Sequence, residues 1–325
     1  MAKKSAASPP ALADPSVPLR LLVLWNPAAP GAEQSTGAID VAAWLGRSTR
    51  VRVRVASTFV QPWTSAPFAK LGGKYKKWLK AESSAYADAV RKRLADSTLE
   101  KKHWDKEPSA LLVGPSQPRL LTDAAADFKA DIILLGPHQA SPKHRLLAGS
   151  TADSLLHYSP VAVGLAPTDA KLAKGGVKRI NFAFSEDHHE GQHRALRQAA
   201  SLAARLGVPL RLVAFSPTGL IHPPLNAQVD VTKKLATEWH EHTLSLLDRA
   251  TDLVQDEFPQ LEVSSVLGSG AGWQGAVDAV KWKKSDLMVF GSNPISPFAR
   301  VFLGSRATEL LPHLTVPVLV IPSEA

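Results

Sequence analysis

The chain contains no cysteine among its 325 residues. That absence excludes a disulfide framework, a thiolate-bound zinc ion, an iron–sulfur cluster and a cysteine nucleophile. Long apolar runs are also missing, since no stretch approaches the ~18 consecutive apolar residues that a membrane-spanning helix needs. The first residues carry two lysines but no apolar segment behind them, unlike a secretory signal. These absences predict a cytoplasmic protein without a membrane partner.

With 45% hydrophobic and 21% charged residues, the chain has the composition of a globular protein with a sizeable core. Its length corresponds to two domains of ~100–200 residues each. We predict a disordered tail over residues 1–18, a first domain over 19–167, a linker over 168–177 and a second domain over 178–325. The tail is rich in alanine, proline and serine, and the linker is short, polar and glycine-containing.

The net charge of +9 lies in the first half of the chain. Residues 1–168 contain 22 Lys and Arg against 13 Asp and Glu, whereas residues 169–325 contain 16 of each. The excess is concentrated between Lys70 and Lys106, where acidic residues are interspersed as on a solvated helix. A nucleic-acid partner is the alternative, but no recognised nucleic-acid-binding motif accompanies the charge. We therefore predict no specific nucleic-acid partner.

An internal repeat organises the chain. A shift of 155 residues overlays residues 131–156 on residues 286–311 without a gap, and ten positions are identical. Each copy alternates short apolar runs with amphipathic segments. The predicted strands are LRLLVLW, VRVRVASTFV, ALLVG, DIILLG and VAVGLA in the first copy, and RINFAFS, PLRLVAF, LEVSSVLG, DLMVFG and PVLVIP in the second.

Strands that are apolar along their whole length are typical of a parallel sheet covered by helices on both faces. The sequence therefore predicts an α/β fold of two tandem, doubly wound, parallel five-stranded sheets. An exposed edge strand that is almost wholly apolar is prone to aggregation. We therefore predict that the two domains pack as a pseudo-twofold pair through the last strands, around Val161–Leu165 and Val318–Ile321.

Several repeated residues are candidates for phosphate binding, because ligands of such sheets bind beyond the carboxyl ends of the strands. A helix N-terminus there offers free backbone N–H groups, and glycine permits close approach. The alternative is that the glycines only end strands and cap helices, with the arginines in solvent. The candidates are Gly136, Arg145, Gly149 and Ser150 in the first copy, and Gly291, Arg300, Gly304 and Ser305 in the second.

The spacing Gly136-x2-Gln139-x9-Gly149-Ser150, with Gly291-x2-Pro294-x9-Gly304-Ser305 in the second copy, resembles the Gly-x2-Gly-x9-Gly-Ser/Thr motif of the universal stress protein family. The resemblance covers roughly residues 19–167 and 178–322. It implies a Rossmann-like fold of the adenine nucleotide alpha hydrolase type and a site for ATP or another adenine nucleotide, with no metal beyond nucleotide-associated Mg²⁺. It also implies domain pairing through the last strand, within one chain or in a homodimer.

The chain departs from that family pattern at two kinds of position. Gln139 and Pro294 replace the second glycine of the motif. ATP-binding members carry an aspartate after the first strand, where this chain has Asn26 and Ser185. All but the proline are retained as candidate nucleotide contacts. Because proline has no N–H to offer a phosphate, the first copy is predicted to be the better binder.

A second glycine motif competes with the first. The segment Gly270-Ala-Gly272-Trp-Gln-Gly275 matches the dinucleotide pattern G-x-G-x-x-G. It follows the third strand of its domain, and no acidic residue stands ~20 positions further on. A tight loop with close helix packing is the favoured interpretation.

These observations predict a stress-response or regulatory protein that binds an adenine nucleotide and has no catalytic residues. The alternative is a nucleotide-free interaction scaffold with degenerate phosphate loops and an unidentified protein partner. A slow ATPase is a weaker alternative, because no residue suits the role of a water-activating base.

Overall fold

The computed structural model describes residue 12 and residues 14–27, 35–61, 66–138, 140–184, 190–218, 232–292 and 309–322. Five strands belong to the first half of the chain: β1 Leu19–Leu24, β2 Val51–Val60, β3 Trp104–Gly114, β4 Ile132–Leu135 and β5 Ala162–Leu165. Five more belong to the second half: β6 Arg179–Ala183, β7 Leu210–Thr218, β8 Val263–Ala271, β9 Asp286–Gly291 and β10 Val318–Ile321.

The ten strands form one continuous sheet in the order β3-β2-β1-β4-β5-β10-β9-β6-β7-β8. Within each half all strands run parallel, as predicted for the doubly wound fold. The halves meet where β5 and β10 pair antiparallel, with Leu319 opposite Gly164. The predicted joining of the last strands is therefore confirmed, and it buries both apolar strands between neighbours.

Helices cover both faces of the sheet. One face carries α1 Gly37–Gly46, α2 Ala66–Asp96, α5 Glu190–Leu206 and α6 Thr232–Glu257. The other face carries α3 Gln117–Phe128, α4 Ser150–Tyr158 and α7 Gly272–Ala279. Each of the two hydrophobic cores contains residues from both halves of the chain, so the domains share their cores as well as the sheet. None of the helices that the structure describes is long and apolar enough to cross a membrane.

The strand β3 is longer than the apolar run ALLVG that predicted it. Its first half, WDKEP, is polar and contains a proline; Trp104 pairs with Val53 of β2, and after a register shift the pairing resumes at Ser109, opposite Val55. Edge strands tolerate charges and proline, because one side of their backbone needs no partner. An ion pair of 2.6 Å between Arg54 and Asp105 joins the two strands. The apolar pattern alone therefore missed this segment.

The loop with the dinucleotide-like glycines is packed backbone against backbone. A Cβ on Gly270 would lie 2.4 Å from the carbonyl carbon of Gly275, and one on Gly268 would lie 2.3 Å from the carbonyl oxygen of Ala276. Gly272 has a φ of +59°, a conformation that favours glycine. These contacts explain the glycines by the close packing of α7 on β8.

We expect Gly270→Ala to lower the free energy of unfolding by about 1–3 kcal/mol, because its methyl group would overlap the Gly275 backbone. Gly73→Ala is the control, since its Cβ would have no heavy atom within 4 Å. Urea unfolding of both variants measures the difference. If Gly270→Ala unfolds at the wild-type urea concentration, close packing is not the reason for this glycine.

Candidate functional site

The strand order of the first half reverses between β1 and β4, because β2 and β3 lie on one side of β1 while β4 and β5 lie on the other. In open α/β sheets such a reversal leaves a crevice at the carboxyl ends of the strands. Asn26 lies two residues beyond β1, and Gly136 lies directly after β4. The predicted candidates Asn26 and Gly136 therefore border the same crevice.

The side chain of Asn26 is bound to the neighbouring strand. Its Oδ1 accepts hydrogen bonds from the hydroxyl of Ser57 and from the backbone N–H of Thr58, the latter at 3.2 Å. Both donors belong to the carboxyl-terminal half of β2. Asn26 itself is exposed, so its amide is accessible at the mouth of the crevice.

A chain of hydrogen bonds continues from β2 across the edge of the sheet. Gln117, the first residue of α3, donates from Nε2 to the Thr58 hydroxyl at 2.6 Å. Thr151, in the first turn of α4, donates its hydroxyl to Oε1 of Gln117 at 2.6 Å. Together with Asn26, these side chains form a polar chain that joins the ends of β1 and β2 to the starts of α3 and α4.

A cavity of about 620 Å³ adjoins Asn26 on the α2 side of the sheet. Its walls include Phe59, Trp78 and Tyr86, with Glu82 as the acidic residue among its lining. Phe59 and Trp78 meet edge to face, with ring centroids 5.3 Å apart. Burial raises the pKa of the Tyr86 hydroxyl well above its ordinary value, so this group is a neutral donor to the carbonyl of Trp25. The cavity is thus aromatic with a polar rim.

Gly149 is the residue before α4, and Ser150 begins that helix in an exposed position. A Cβ on Gly149 would lie 2.6 Å from Cδ2 of His138, so the histidine ring lies directly against this glycine. The Nδ1 of His138 accepts the N–H of Ala140 at 3.2 Å. The absence of a side chain at Gly149 therefore makes room for His138 beside the start of the helix.

Arg145 has a partner in the other domain. Its guanidinium donates to the backbone carbonyl of His313, which belongs to a short 3-10 turn before β10. The ring of His313 is in turn bonded to Oε1 of Gln274 at 2.9 Å. In this position Arg145 links the two domains. Its prediction as a phosphate contact gains no support from this partner.

In the second copy, Gly291 lies at the end of β9, where a Cβ would lie 2.6 Å from Cβ of Ala195. This contact lets α5 pack closely on the sheet. The other predicted candidates lie outside the described residues: Gln139, Ser185, Arg300, Gly304 and Ser305. Among the residues that are described, no group of three His, Cys, Asp or Glu side chains is placed to hold a metal ion.

Four members of this edge were not predicted from the sequence: Thr58, Gln117, His138 and Thr151. In the sequence, Thr58 lies near the end of a predicted strand, and Gln117 lies between the predicted strands ALLVG and DIILLG. Neither residue belongs to a recognisable motif. Thr151 follows the predicted Gly149-Ser150 pair, and His138 lies between Gly136 and Gln139, so the motif itself was the signal that pointed to their neighbourhood.

The fold and this edge define a class: a tandem, doubly wound α/β protein with a polar crevice at the strand reversal of its first domain. The model of the universal stress protein family matches residues 27–167 and 176–322. The chain belongs to that family.

Individual relatives agree with the family match. The chain is 29% identical over 292 residues to "Universal stress protein Rv2319c" of Mycobacterium tuberculosis and to "Universal stress protein Mb2346c" of Mycobacterium bovis. Each alignment covers 88% of this chain and 94% of the relative. The crystal structure of a universal stress protein from Archaeoglobus fulgidus is 17% identical, with a TM-score of 0.59 over 94% of this chain and 98% of that one. This structure supports the fold.

Proposed function

We propose that the first domain binds an adenine nucleotide at the crevice beside Asn26, and that the protein is a non-enzymatic, cytoplasmic regulator of the stress response. The observation that carries the proposal is the polar chain Asn26–Thr58–Gln117–Thr151. It connects the aromatic cavity, which suits the base of a nucleotide, to the start of α4, which suits its phosphates.

The cavity has the size and lining for the base. Its volume of about 620 Å³ lies within the range typical of small-ligand sites, ~300–1,000 Å³. Phe59 and Trp78 offer aromatic surface, and Ser57 and Asn26 offer hydrogen-bonding atoms at its rim. A neutral base needs such a combination of apolar walls and a few fixed polar groups.

The start of α4 suits the phosphates. The first backbone N–H groups of a helix have no partner within the helix, and the helix dipole favours negative charge there. These groups lie at the half-buried Gly149 and the exposed Ser150. Gly136 and Gln139 remain proposed contacts in the first copy, and Arg145 is the least favoured there because it is bonded to His313. The second-copy candidates are contacts only in the alternative in which the second domain holds the nucleotide: Ser185, Gly291, Arg300, Gly304 and Ser305.

A nucleotide-free scaffold is the second candidate, and two observations favour it. The Oδ1 of Asn26 already accepts two hydrogen bonds from β2, and the ring of His138 lies against Gly149. A nucleotide must therefore bind through the amide NH₂ group of Asn26 and beside, or in place of, the His138 ring.

Calorimetric titration of the full chain with ATP and Mg²⁺ tests the proposal. We expect Gly149→Val to weaken binding about tenfold or more, because a branched side chain obstructs one or two charge-assisted hydrogen bonds. The repeat-related Gly304→Val is the matched control and is expected to bind as the wild type does. Loss in Gly304→Val alone would assign the site to the second domain, and a wild type that binds no ATP would favour the scaffold.

A further inference from the structure

The junction of the two domains contains a pocket of about 250 Å³, here called the seam pocket. It is lined by His144 of the first domain, Lys171 of the linker and Trp282, Lys283 and Lys284 of the second domain, and it is closed by residues 315–317. Because β5 and β10 are antiparallel, the carboxyl edge of one sheet meets the amino edge of the other here. The seam pocket is therefore formed by both domains together.

The charge of the seam pocket has one sign. Three lysines and a histidine line it, and among the described residues no acidic side chain does. Lysine ammonium groups that share a small space repel each other, and an anion between them converts that repulsion into attraction. A pocket of this kind favours a ligand with more than one negative charge.

A cluster of charged side chains next to Trp282 adds to the positive charge near the seam pocket. The Arg211 guanidinium lies 5.5 Å from the centroid of the Trp282 ring. Arg211 and Arg179 share the single carboxylate of Asp286, so the cluster has one positive charge in excess. Burial and the neighbouring Arg179 together lower the pKa of Arg211 to about 10, against the attraction of Asp286. These three residues of the second domain thus contribute one net positive charge close to Trp282, which lines the seam pocket.

Backbone hydrogen bonds hold the walls of the seam pocket in place. The N–H of His144 donates to the carbonyl of Thr168 at 2.8 Å, and its Nδ1 donates to the carbonyl of Asp169 at 2.9 Å. The N–H of Ala173 donates to the carbonyl of Lys284 at 2.9 Å. These hydrogen bonds join the walls to one another, so the pocket is preorganised. The protein therefore loses less conformational entropy when a ligand binds.

Two residues of this frame also have an unusual backbone. His144 and Asp169 have φ values of +62° and +48°, in the left-handed region that non-glycine residues seldom adopt. Such conformations cost free energy and are found most often at ligand-binding or catalytic sites. His144 lines the same pocket as the three lysines.

We propose that the seam pocket binds a compact anion with two phosphate groups, smaller than a nucleotide. The volume of about 250 Å³ falls below that of typical drug-sized ligand sites, while the charge requires a polyanion. The anion contacts the first domain, the linker and the second domain at once. By mass action it then stabilises the native domain pair, since it binds only when these parts are together.

Calorimetric titration of the full chain with inorganic pyrophosphate, at low and fixed salt, tests this proposal. The double variant Lys283→Gln/Lys284→Gln is expected to weaken binding at least tenfold and to abolish the rise in Tm that pyrophosphate causes in the wild type. The double variant Lys101→Gln/Lys102→Gln is the matched control, because it removes two adjacent exposed lysines from the first domain. It is expected to bind pyrophosphate as the wild type does.

Equal loss in both double variants would show attraction to net charge alone and would overturn the proposal. A wild type that binds no pyrophosphate would overturn it as well. Gly149→Val distinguishes the seam pocket from the proposed nucleotide site, because it is expected to weaken ATP binding but leave pyrophosphate binding intact. Pyrophosphate binding that disappears in Gly149→Val, and survives in Lys283→Gln/Lys284→Gln, would assign the anion to the start of α4.

Discussion

Leu319→Asp is expected to lower the free energy of unfolding by about 4 kcal/mol or more and to disrupt the junction of the two domains. Leu319 is 2% exposed and lies in β10, the strand that pairs with Gly164 of β5 on one side and with Val289 of β9 on the other. A truncated buried leucine costs ~2–5 kcal/mol, and an unpaired carboxylate in the same place adds its own desolvation.

The effect should reach both domains. Leu319 belongs to the core on the α1 and α5 face, which contains Leu21 and Trp44 from the first half and Leu202 and Leu212 from the second. Loss of packing at this strand therefore weakens the two halves together. Urea unfolding followed by circular dichroism is expected to give one transition at a lower midpoint, and size-exclusion chromatography is expected to show an expanded or associated chain.

Ser84→Asp is the control for the added charge, because Ser84 is exposed on α2. It is expected to change stability by less than about 0.5 kcal/mol. Leu319→Ala serves if the aspartate variant does not fold, with an expected loss of ~2–5 kcal/mol. A wild-type midpoint for both Leu319 variants would mean that β10 does not hold the domains together.

The architecture was predictable because its signals are local. Strands such as β4, β5 and β10 are uninterrupted apolar runs, and the 155-residue repeat shows that the same order of elements occurs twice. The pairing of β5 with β10 followed from a general requirement, since two wholly apolar last strands need cover. The first half of β3 was not predictable in this way. Its stability comes from its neighbour β2 and from the ion pair between Arg54 and Asp105.

The candidate site was predictable only at its repeated glycines and at Asn26. Asn26, Gly136 and Gly149 stand at the ends of elements, where the fold class itself directs attention. The polar chain joins residues as far apart in sequence as Thr58 and Thr151, through Gln117. No spacing rule connects such residues, because their distance depends on how three separate loops converge. The same holds for Arg145, whose partner His313 lies in the other domain.

Asp286→Asn is expected to lower the free energy of unfolding by about 3–5 kcal/mol, the usual cost when one partner of a buried ion pair is removed. Asp286 is fully buried at the start of β9. Arg179 donates to both of its carboxylate oxygens, at 3.0 and 2.7 Å, and the N–H of Lys283 donates to it at 2.9 Å. An asparagine leaves Arg179 and the mostly buried Arg211 without a counter-charge.

Asp131→Asn is the matched control, since the 155-residue repeat places Asp131 at the same position of the first domain. Its carboxylate accepts the backbone N–H of Arg20 at 2.7 Å, a bond that an asparagine oxygen can keep. Burial raises the pKa of the Asp131 carboxyl above its ordinary value, so folding disfavours the ionised form relative to the unfolded chain. We expect a change within about 1 kcal/mol at neutral pH.

The stability contributed by Asp131 should also depend on pH. Because the folded-state pKa of Asp131 is raised, its contribution to stability is present at acidic pH and is lost as the pH rises through that value. The asparagine side chain does not titrate. We therefore expect the free energy of unfolding of Asp131→Asn, relative to that of the wild type, to be higher at pH 7 than at pH 3. Urea unfolding of both variants at the two pH values measures this. Equal losses at Asp131 and Asp286 would show that strand position, and not the buried arginine pair, determines the cost.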